Sequence, residues 1–452
     1  MNRIMQDRST QTFDQDFDPE SYSETGSESD SETYNWVDEL QEDDIVDVET
    51  RIQEYVYEWT KSNPALLSSS HVERMVASDV AIHIFDEFLN ADLCDDTDAN
   101  YQFVLEFCKQ VVLDMNIRNA PPWTTSTPTS LAKRLQRLDD APNPEQRTQA
   151  WYDSRYNLLT ASNLWKALGT EAQKNSLIYE KCRPYTQFVE ECSRHGNLSA
   201  DNAMSWGQKY EPVSLQLYEH RTQVHVKQYG CILHREHAFL GASPDGISVS
   251  GKMLEIKNIV NREITGVPLD HYWIQMQIQM EVCDLDECDF VETRFKEFAD
   301  ETAYLDSAIP DKGVILRFAQ RRTLDDLINP TTDSLDPFYE YSPLGIQDID
   351  AWTQECREKY APTYVLVNTV YWYLDQYSCV LVKRNRDWFQ AALPQIRELW
   401  NTVQQERETG YEHRAPTKRK NPVSKNVESG GYTINMPVSG AGLCLVKLDA
   451  EG

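Results

Sequence analysis

The stretch GASPDGISVSGKMLEIKN, residues 241–258, decides the fold. Ser250 and Gly251 supply turn chemistry, and Met253 to Lys257 alternate apolar with polar residues, so the segment reads as a β-hairpin. Period two places Glu255 and Lys257 on one face of the second strand while Leu254 and Ile256 point into a core. Asp245, in the turn before the hairpin, can reach the same point. Two carboxylates and a lysine at this spacing can cut phosphodiesters. Hard divalent cations such as Mg²⁺ prefer carboxylate and carbonyl oxygens and keep several waters, so two acidic residues and one backbone carbonyl suffice as protein ligands. A polar turn followed by a half-exposed strand is the bland alternative; it accounts for SPDG, but an acid and a lysine on one strand face just after it are less expected.

Three further blocks surround this one in a fixed order. In AWYDSRYNLLTASNLWKAL, Arg155 and the Thr160, Ala161, Ser162 triplet precede a helical pattern; an arginine, hydroxyls and free amides at a helix start suit a phosphate. Taken alone, a surface arginine and an ordinary Ser/Thr cap explain this block as well. In MSWGQKYEPVSLQLYE, Glu211 stands beside Pro212, which opens or kinks a helix; a glutamate at a helix start usually only compensates the dipole. DHYWIQMQIQMEV alternates strictly from Ile274 to Val282, as a strand would. Its Gln, Met and Glu are good helix formers, and Asp270 after Pro268 is a credible N-cap, so we expect a helix with Gln275 and Gln279 one turn apart. A glutamine there can hold a water or a phosphate, or simply face solvent.

The 452 residues have room for two or three domains, and 40% hydrophobic with 11% aromatic content is enough for a large core. A net charge of −30 argues against coating nucleic acid by bulk electrostatics. Roughly half of that excess lies in the first 50 residues, an acidic arm expected to be disordered over 1–47. A helical domain follows over 48–120, then a Pro-containing linker over 121–144, the part that holds the four blocks over 145–409, and a flexible tail over 410–452. Near the end, TYVLVNTVYWYLD and SCVLVKRN read as paired strands, and RDWFQAALPQIRELWNTVQQE as a closing helix with Pro394 inside it. No run approaches the roughly 20 apolar residues of a membrane span, and the N-terminus lacks a signal-peptide core. The protein is therefore expected to be intracellular, cytoplasmic or nuclear, and neither membrane-bound nor secreted. The 10 scattered cysteines fit reduced thiols, and Cys283 with Cys288 lack companions for an iron–sulfur cluster.

The ordered set RYNLLTAS, WGQKYEP, GASPDGI, LEIK and YWIQMQ resembles the lambda exonuclease and YqaJ-like viral recombinase family of the PD-(D/E)XK nuclease superfamily. The likeness covers about Ala150 to Val282. It implies an α/β (α+β) fold: a mixed central sheet flanked by helices, a restriction-endonuclease-like nuclease core here preceded by a helical domain and an acidic arm. It further implies that Asp245 and Glu255 ligate Mg²⁺, or Mn²⁺ in its place, with the Ile256 carbonyl, and that Glu211 completes a second metal position. Lys257 would polarise the attacking water and Gln275 support the site. Arg155, Ser162 and Ser243 match positions that grip a terminal 5′-phosphate. The implied activity is 5′-to-3′ exonuclease action on duplex DNA ends in recombination, repair or replication. An endonuclease or RNA-cutting nuclease on the same fold stays open, as does a non-catalytic nucleic-acid-binding scaffold. The resemblance also leaves open a strand-annealing protein as partner, and an oligomer: a ring would favour processivity, but the added N-terminal helices could block one.

Overall fold

The computed structural model describes residues 42–121, 131–141, 148–195, 203–321 and 338–415. Residues 1–41 of the expected acidic arm, half of the expected linker and nearly all of the expected tail lie outside these. The first described residues form three helices, α1 (Glu42–Ser62), α2 (Val72–Asn90) and α3 (Asp98–Met115). Thr97 caps α3 by accepting from the Asn100 amide. Their apolar stripes, with Ile52, Val76, Ile84 and Val112 among them, join one continuous core with Trp273 from the middle of the chain and Trp388 and Leu399 from much later in it. The helices α4 (Leu131–Asp140), α5 (Gln149–Tyr156) and the single turn α6 (Ala161–Leu164) lead toward the sheets.

Two sheets carry the rest. Strands β1 (Leu159–Thr160), β3 (Ile232–Leu233) and β4 (Leu240–Ala242) make a small one in the order β1-β4-β3, with β1 parallel to β4. A seven-stranded mixed sheet runs β2-β5-β6-β7-β10-β8-β9, built from β2 (Val226–Lys227), β5 (Gly246–Ser248), β6 (Met253–Asn258), β7 (Glu287–Glu297), β8 (Lys312–Gln320), β9 (Phe338–Tyr341) and β10 (Tyr364–Lys383). This is the expected α/β class with a mixed central sheet. Among the described residues only β6 and β7 run parallel in the large sheet, and a parallel neighbour requires a crossover. That crossover contains helix α8 (Asp270–Cys283), which follows α7 (Ala203–Thr222). Strand β6 is thereby sandwiched. Leu254 and Ile256 pack with Tyr218 and Leu215 of α7 on one face, and Glu255 meets α8 on the other.

Two local expectations change and one open alternative is decided. The two strands read near the end are one 20-residue strand, β10, which pairs with β8 through Tyr364–Tyr373 and with β7 through Trp372–Lys383. The residues between them, Asp375 to Ser378, contain no glycine to reverse the chain; a bulge between Leu374 and Gln376 absorbs the irregularity instead. Asp270 is not the cap of α8. Leu269 occupies that position without a side-chain bond, and Asp270 accepts from the Ser70 amide at 2.6 Å and from Arg118 at 3.3 Å. Glu211 does not open a helix, because α7 continues through Pro212. Pro394 likewise sits inside the closing helix, α9 (Arg386–Thr409), on its exposed side. No helix among the described residues is long and apolar enough to cross a membrane. Cys283 and Cys288 are buried free thiols, and burial pushes Cys283 up to about 12.

The turn from β3 to β4 is folded around His234. Its Nδ1 accepts from the amides of Glu236 and His237 at 3.0 and 3.1 Å, and its ring stacks on His237 and Phe389. Burial, then the neighbouring His237, lowers its pKa to about 4. In the unfolded chain the imidazole takes up a proton near pH 6.5, so between pH 6.5 and 4 the unfolded state binds more protons and stability falls with pH. His234→Asn keeps an acceptor for the two amides without the titration. The stability difference between wild type and this variant should move against wild type by on the order of 2 kcal/mol from pH 7 to pH 4 in urea melts; a constant difference would contradict this account.

Candidate active site

The hairpin that holds the site closes through Gly251, whose φ of +80° suits a residue without a Cβ. At Gly246, a Cβ would fall 2.2 Å from Val226 Cγ1, so only glycine lets β2 approach β5. Pairing of Gly246 with Leu254 puts Asp245 level with Glu255. There Asp245 Oδ2 accepts the Ile256 amide at 2.6 Å, which fixes the carboxylate against the strand. Glu255 is 1% exposed. Its Oε1 accepts from Lys257 Nζ at 2.5 Å and from Gln275 Nε2 at 2.6 Å, and its Oε2 from Gln279 Nε2 at 2.8 Å. Charge-assisted bonds of this kind are what make a buried carboxylate tolerable.

Helix α8 supplies both glutamines because they lie one turn apart on the face turned to β6. Gln277 points elsewhere: it donates to the Lys383 carbonyl at 3.0 Å and accepts from the Asn385 amide at 2.7 Å, fastening α8 to the end of β10. Arg118, 2% exposed, ties the start of α8 to the N-terminal helices through Pro268, Ser68 and Asp270. In the sequence Gln279 is set one turn from Gln275, and the family resemblance gives a supporting role to Gln275 alone; both bond Glu255.

Glu211 joins this group from α7. Burial first, then the Glu255 carboxylate, raises its pKa, with Lys257 opposing. Asp245 is held well above the carboxylate range by burial, then Glu255 and Glu211, against Lys257 and the Ile256 amide. Burial alone would discharge Lys257, but Glu255 and Asp245 raise it above the usual lysine value, so it stays an ammonium; Tyr272 lies under it at 5.1 Å. Asn258 sets where α7 sits. It accepts from Ser214 and Thr293 hydroxyls at 2.7 Å each and donates to the Gly207 carbonyl at 2.9 Å, on either side of Glu211 along the helix. Sequence reading missed this role, although Asn258 ends the quoted MLEIKN.

A second group adjoins the first. Parallel pairing of Thr160 with Gly241 brings the ends of β1 and β4 together, and Ser162 and Ser243 each follow two residues on, both exposed. Thr160 and Ser162 hydroxyls are 3.5 Å apart. Arg155 lies over the Trp151 ring at 4.9 Å. The Cys231 thiol, pushed up mainly by burial, feels the Arg155 charge and a bond to the Ser243 side chain. Gln279 bridges the groups, donating also toward the Ser243 carbonyl at 3.4 Å.

Among the described residues no three acidic, histidine or cysteine side chains enclose a metal ion by themselves. The oxygen donors fit a hard divalent cation that keeps water: Asp245 and Glu255 with the Ile256 carbonyl, and Glu211 nearby. Carboxylates that raise one another's pKa in a buried place are the electrostatic complement of such an ion.

With this geometry in place, residues 150–286 match the model of the YqaJ-like viral recombinase domain. Residues 150–286 are thus similar to that domain, over less than a third of the chain. It is 27% identical over 312 residues to an uncharacterized protein of Acanthamoeba polyphaga mimivirus, a match covering 60% of this chain and 54% of that protein, so the chain spans about half the length of this curated relative. It also aligns with an alkaline exonuclease from Laribacter hongkongensis, at 19% identity over 59% of this chain and 95% of that one, TM-score 0.31. A second crystal structure of that exonuclease, in complex with dAMP, aligns at 20% identity over the same shares, TM-score 0.32. A phage related exonuclease from Haemophilus somnus 129PT aligns at 14% identity over 57% of this chain and 96% of that one, TM-score 0.30.

Gln279→Leu removes one of the bonds to Glu255. Loss of such a supporting contact typically costs about 10- to 100-fold in metal affinity or activity. Calorimetric titration with Mn²⁺ should show weakened binding while the melting temperature moves by only a few degrees; unchanged affinity would remove Gln279 from the site.

Proposed function

We propose that this chain is a Mg²⁺-dependent deoxyribonuclease, with Mn²⁺ able to substitute, that shortens duplex DNA from its ends in the 5′-to-3′ direction during recombination. The observation that carries this reading is the gathering of Asp245, Glu255 and Lys257 on one hairpin, with Glu211 brought beside them by α7. Asp245, Glu255 and the Ile256 carbonyl would hold the ion, with Glu211 at a second position. A bound divalent cation lowers the pKa of water and offsets charge on phosphate oxygens. Lys257 keeps an ammonium where a phosphate becomes more anionic during attack, and its bond to Glu255 fixes that charge in advance. Gln275 and Gln279 keep the Glu255 carboxylate from rotating.

Arg155, Ser162 and Ser243 would take the terminal 5′-phosphate. An anion held there by a guanidinium and hydroxyls would set a free end against the cutting residues, which favours removal from ends over internal cleavage. Backbone contacts dominate such a site, so sequence preference should be low. A strand-annealing protein is the proposed partner for the single strand this leaves.

The test is a time course on linear duplex with a 5′-phosphate or a 5′-hydroxyl and on closed circular DNA, in Mg²⁺ and in chelator. Linear, phosphorylated substrate should be degraded only with metal; cutting of closed circles would turn the reading to an endonuclease. Asp245→Ala and Glu255→Ala should each lower the rate by far more than tenfold, which is only about 1.4 kcal/mol of barrier. Lys257→Ala should slow single-turnover cleavage with little change in DNA affinity. Arg155→Ala should erase any preference for the 5′-phosphate, read as the ratio of rates on the two ends.

A further inference from the structure

Two residues that no motif singles out lie beside Lys257. Arg262 sits on the segment joining β6 to α8, and its Nη2 donates to Glu292 Oε1 on β7. Glu292 is 1% exposed, and the parallel β6–β7 ladder sets it opposite Lys257, so the two side chains leave the same face of the sheet. Its Oε2 is buried with no hydrogen-bond partner among the described residues. The Arg262 guanidinium is 5.5 Å from the centroid of Tyr272, and Lys257 Nζ is 5.1 Å from that same ring. One aromatic ring therefore carries both cations. The main chain is pinned as well, since Arg294 donates to the Arg262 carbonyl.

We propose that Arg262 contacts a backbone phosphate of the strand being cut, neighbouring the scissile phosphate at Lys257, with Glu292 as the counter-ion that holds the guanidinium ready. This rests on the nuclease reading above. A guanidinium has five N–H donors in a rigid fork. The recorded bonds of Arg262 engage Nη1, to the Glu263 carbonyl, and Nη2, while 29% of the side chain is exposed. It thus keeps donors for a ligand on an open edge. An arginine swinging freely would lose side-chain entropy on binding; one already stacked on Tyr272 and paired with a buried carboxylate loses less. The competing view is that the pair only anchors the segment between β6 and α8. A structural anchor of that kind predicts a carboxylate bonded through both oxygens, whereas Glu292 uses one. A chain of net charge −30 must also concentrate its cations where a polyanion is to lie.

The two views separate by salt dependence. Each phosphate contact to B-DNA contributes about 0.9 to the slope of log affinity against log salt. DNA binding by full-length protein is measured in chelator by fluorescence anisotropy on a 5′-phosphorylated duplex, across a salt series. The double variant Arg262→Gln with Glu292→Gln removes the cation without stranding a buried carboxylate, and its slope should be shallower by about 0.9. Arg262→Lys should keep the wild-type slope. A wild-type slope in the double variant, or an equal loss in Arg262→Lys, overturns the proposal. A wild-type measurement stands independently of how the variants fold: single methylphosphonates placed at the first phosphates from the 5′ end should lower the slope at one position near the cut, and no such position refutes the contact. Wild-type protein that neither binds nor degrades duplex DNA would instead fail the nuclease reading itself.

Discussion

A carboxylate at 1% exposure governs this molecule. Glu255 sits in the middle of a strand with apolar neighbours on either side in sequence, and an unpaired charge there would cost several kcal/mol. Three donors offset that cost: Lys257 from the same strand, Gln275 and Gln279 from α8. Because two of them come from one helix, α8 must cross β6 at one rotation and one height. The remaining polar groups of α8 then serve to fix it there, Gln277 to the end of β10 and Asp270 to Arg118 and Ser70. The N-terminal helices are thus fastened to the same helix that steadies the acid, through a buried arginine rather than through apolar packing alone.

Much of the site could be read from the chain because its pieces are local. The pairing of Glu255 with Lys257 follows from the period of a strand, and the approach of Asp245 from a tight hairpin. What failed to show itself was tertiary. The alternation in α8 suggests a strand because the helix is buried on nearly every side, so its apolar residues need no stripe. Asp270 has the chemistry of a cap, but a buried guanidinium competes for it more strongly than the backbone does. Pro212 left two places open for Glu211, at a helix start or inside a helix, and only the packing of α7 decides for the second. Asn258 and Glu292 gain their meaning only from partners on other elements, Ser214 and Gly207 for one and Arg262 for the other. No pattern in their immediate neighbourhood announces them.

The electrostatics of the site oppose those of the chain as a whole. Net charge is strongly negative, and burial, with mutual repulsion of the site's acids added to it, raises Asp245 and Glu211. Against that background Lys257 and Arg262 are held, not merely present, each by a buried carboxylate and both by Tyr272. Position rather than quantity of positive charge is what this surface offers a polyanion.

The length of β10 bears on how the chain comes into being. Strand β7 lies between β6, which carries the acid, and β10, whose residues Trp372–Lys383 complete its hydrogen bonding. Those residues emerge from the ribosome roughly 80 positions after their partners on β7, and at 5–20 residues per second that is a delay of several seconds. During it, the outer edge of β7 is an open ladder, the kind of edge that recruits stray strands. A nascent chain of this protein therefore passes through a window in which the hairpin with its acid and lysine has been made but its sheet is unsealed, and chaperone demand should be concentrated in that window.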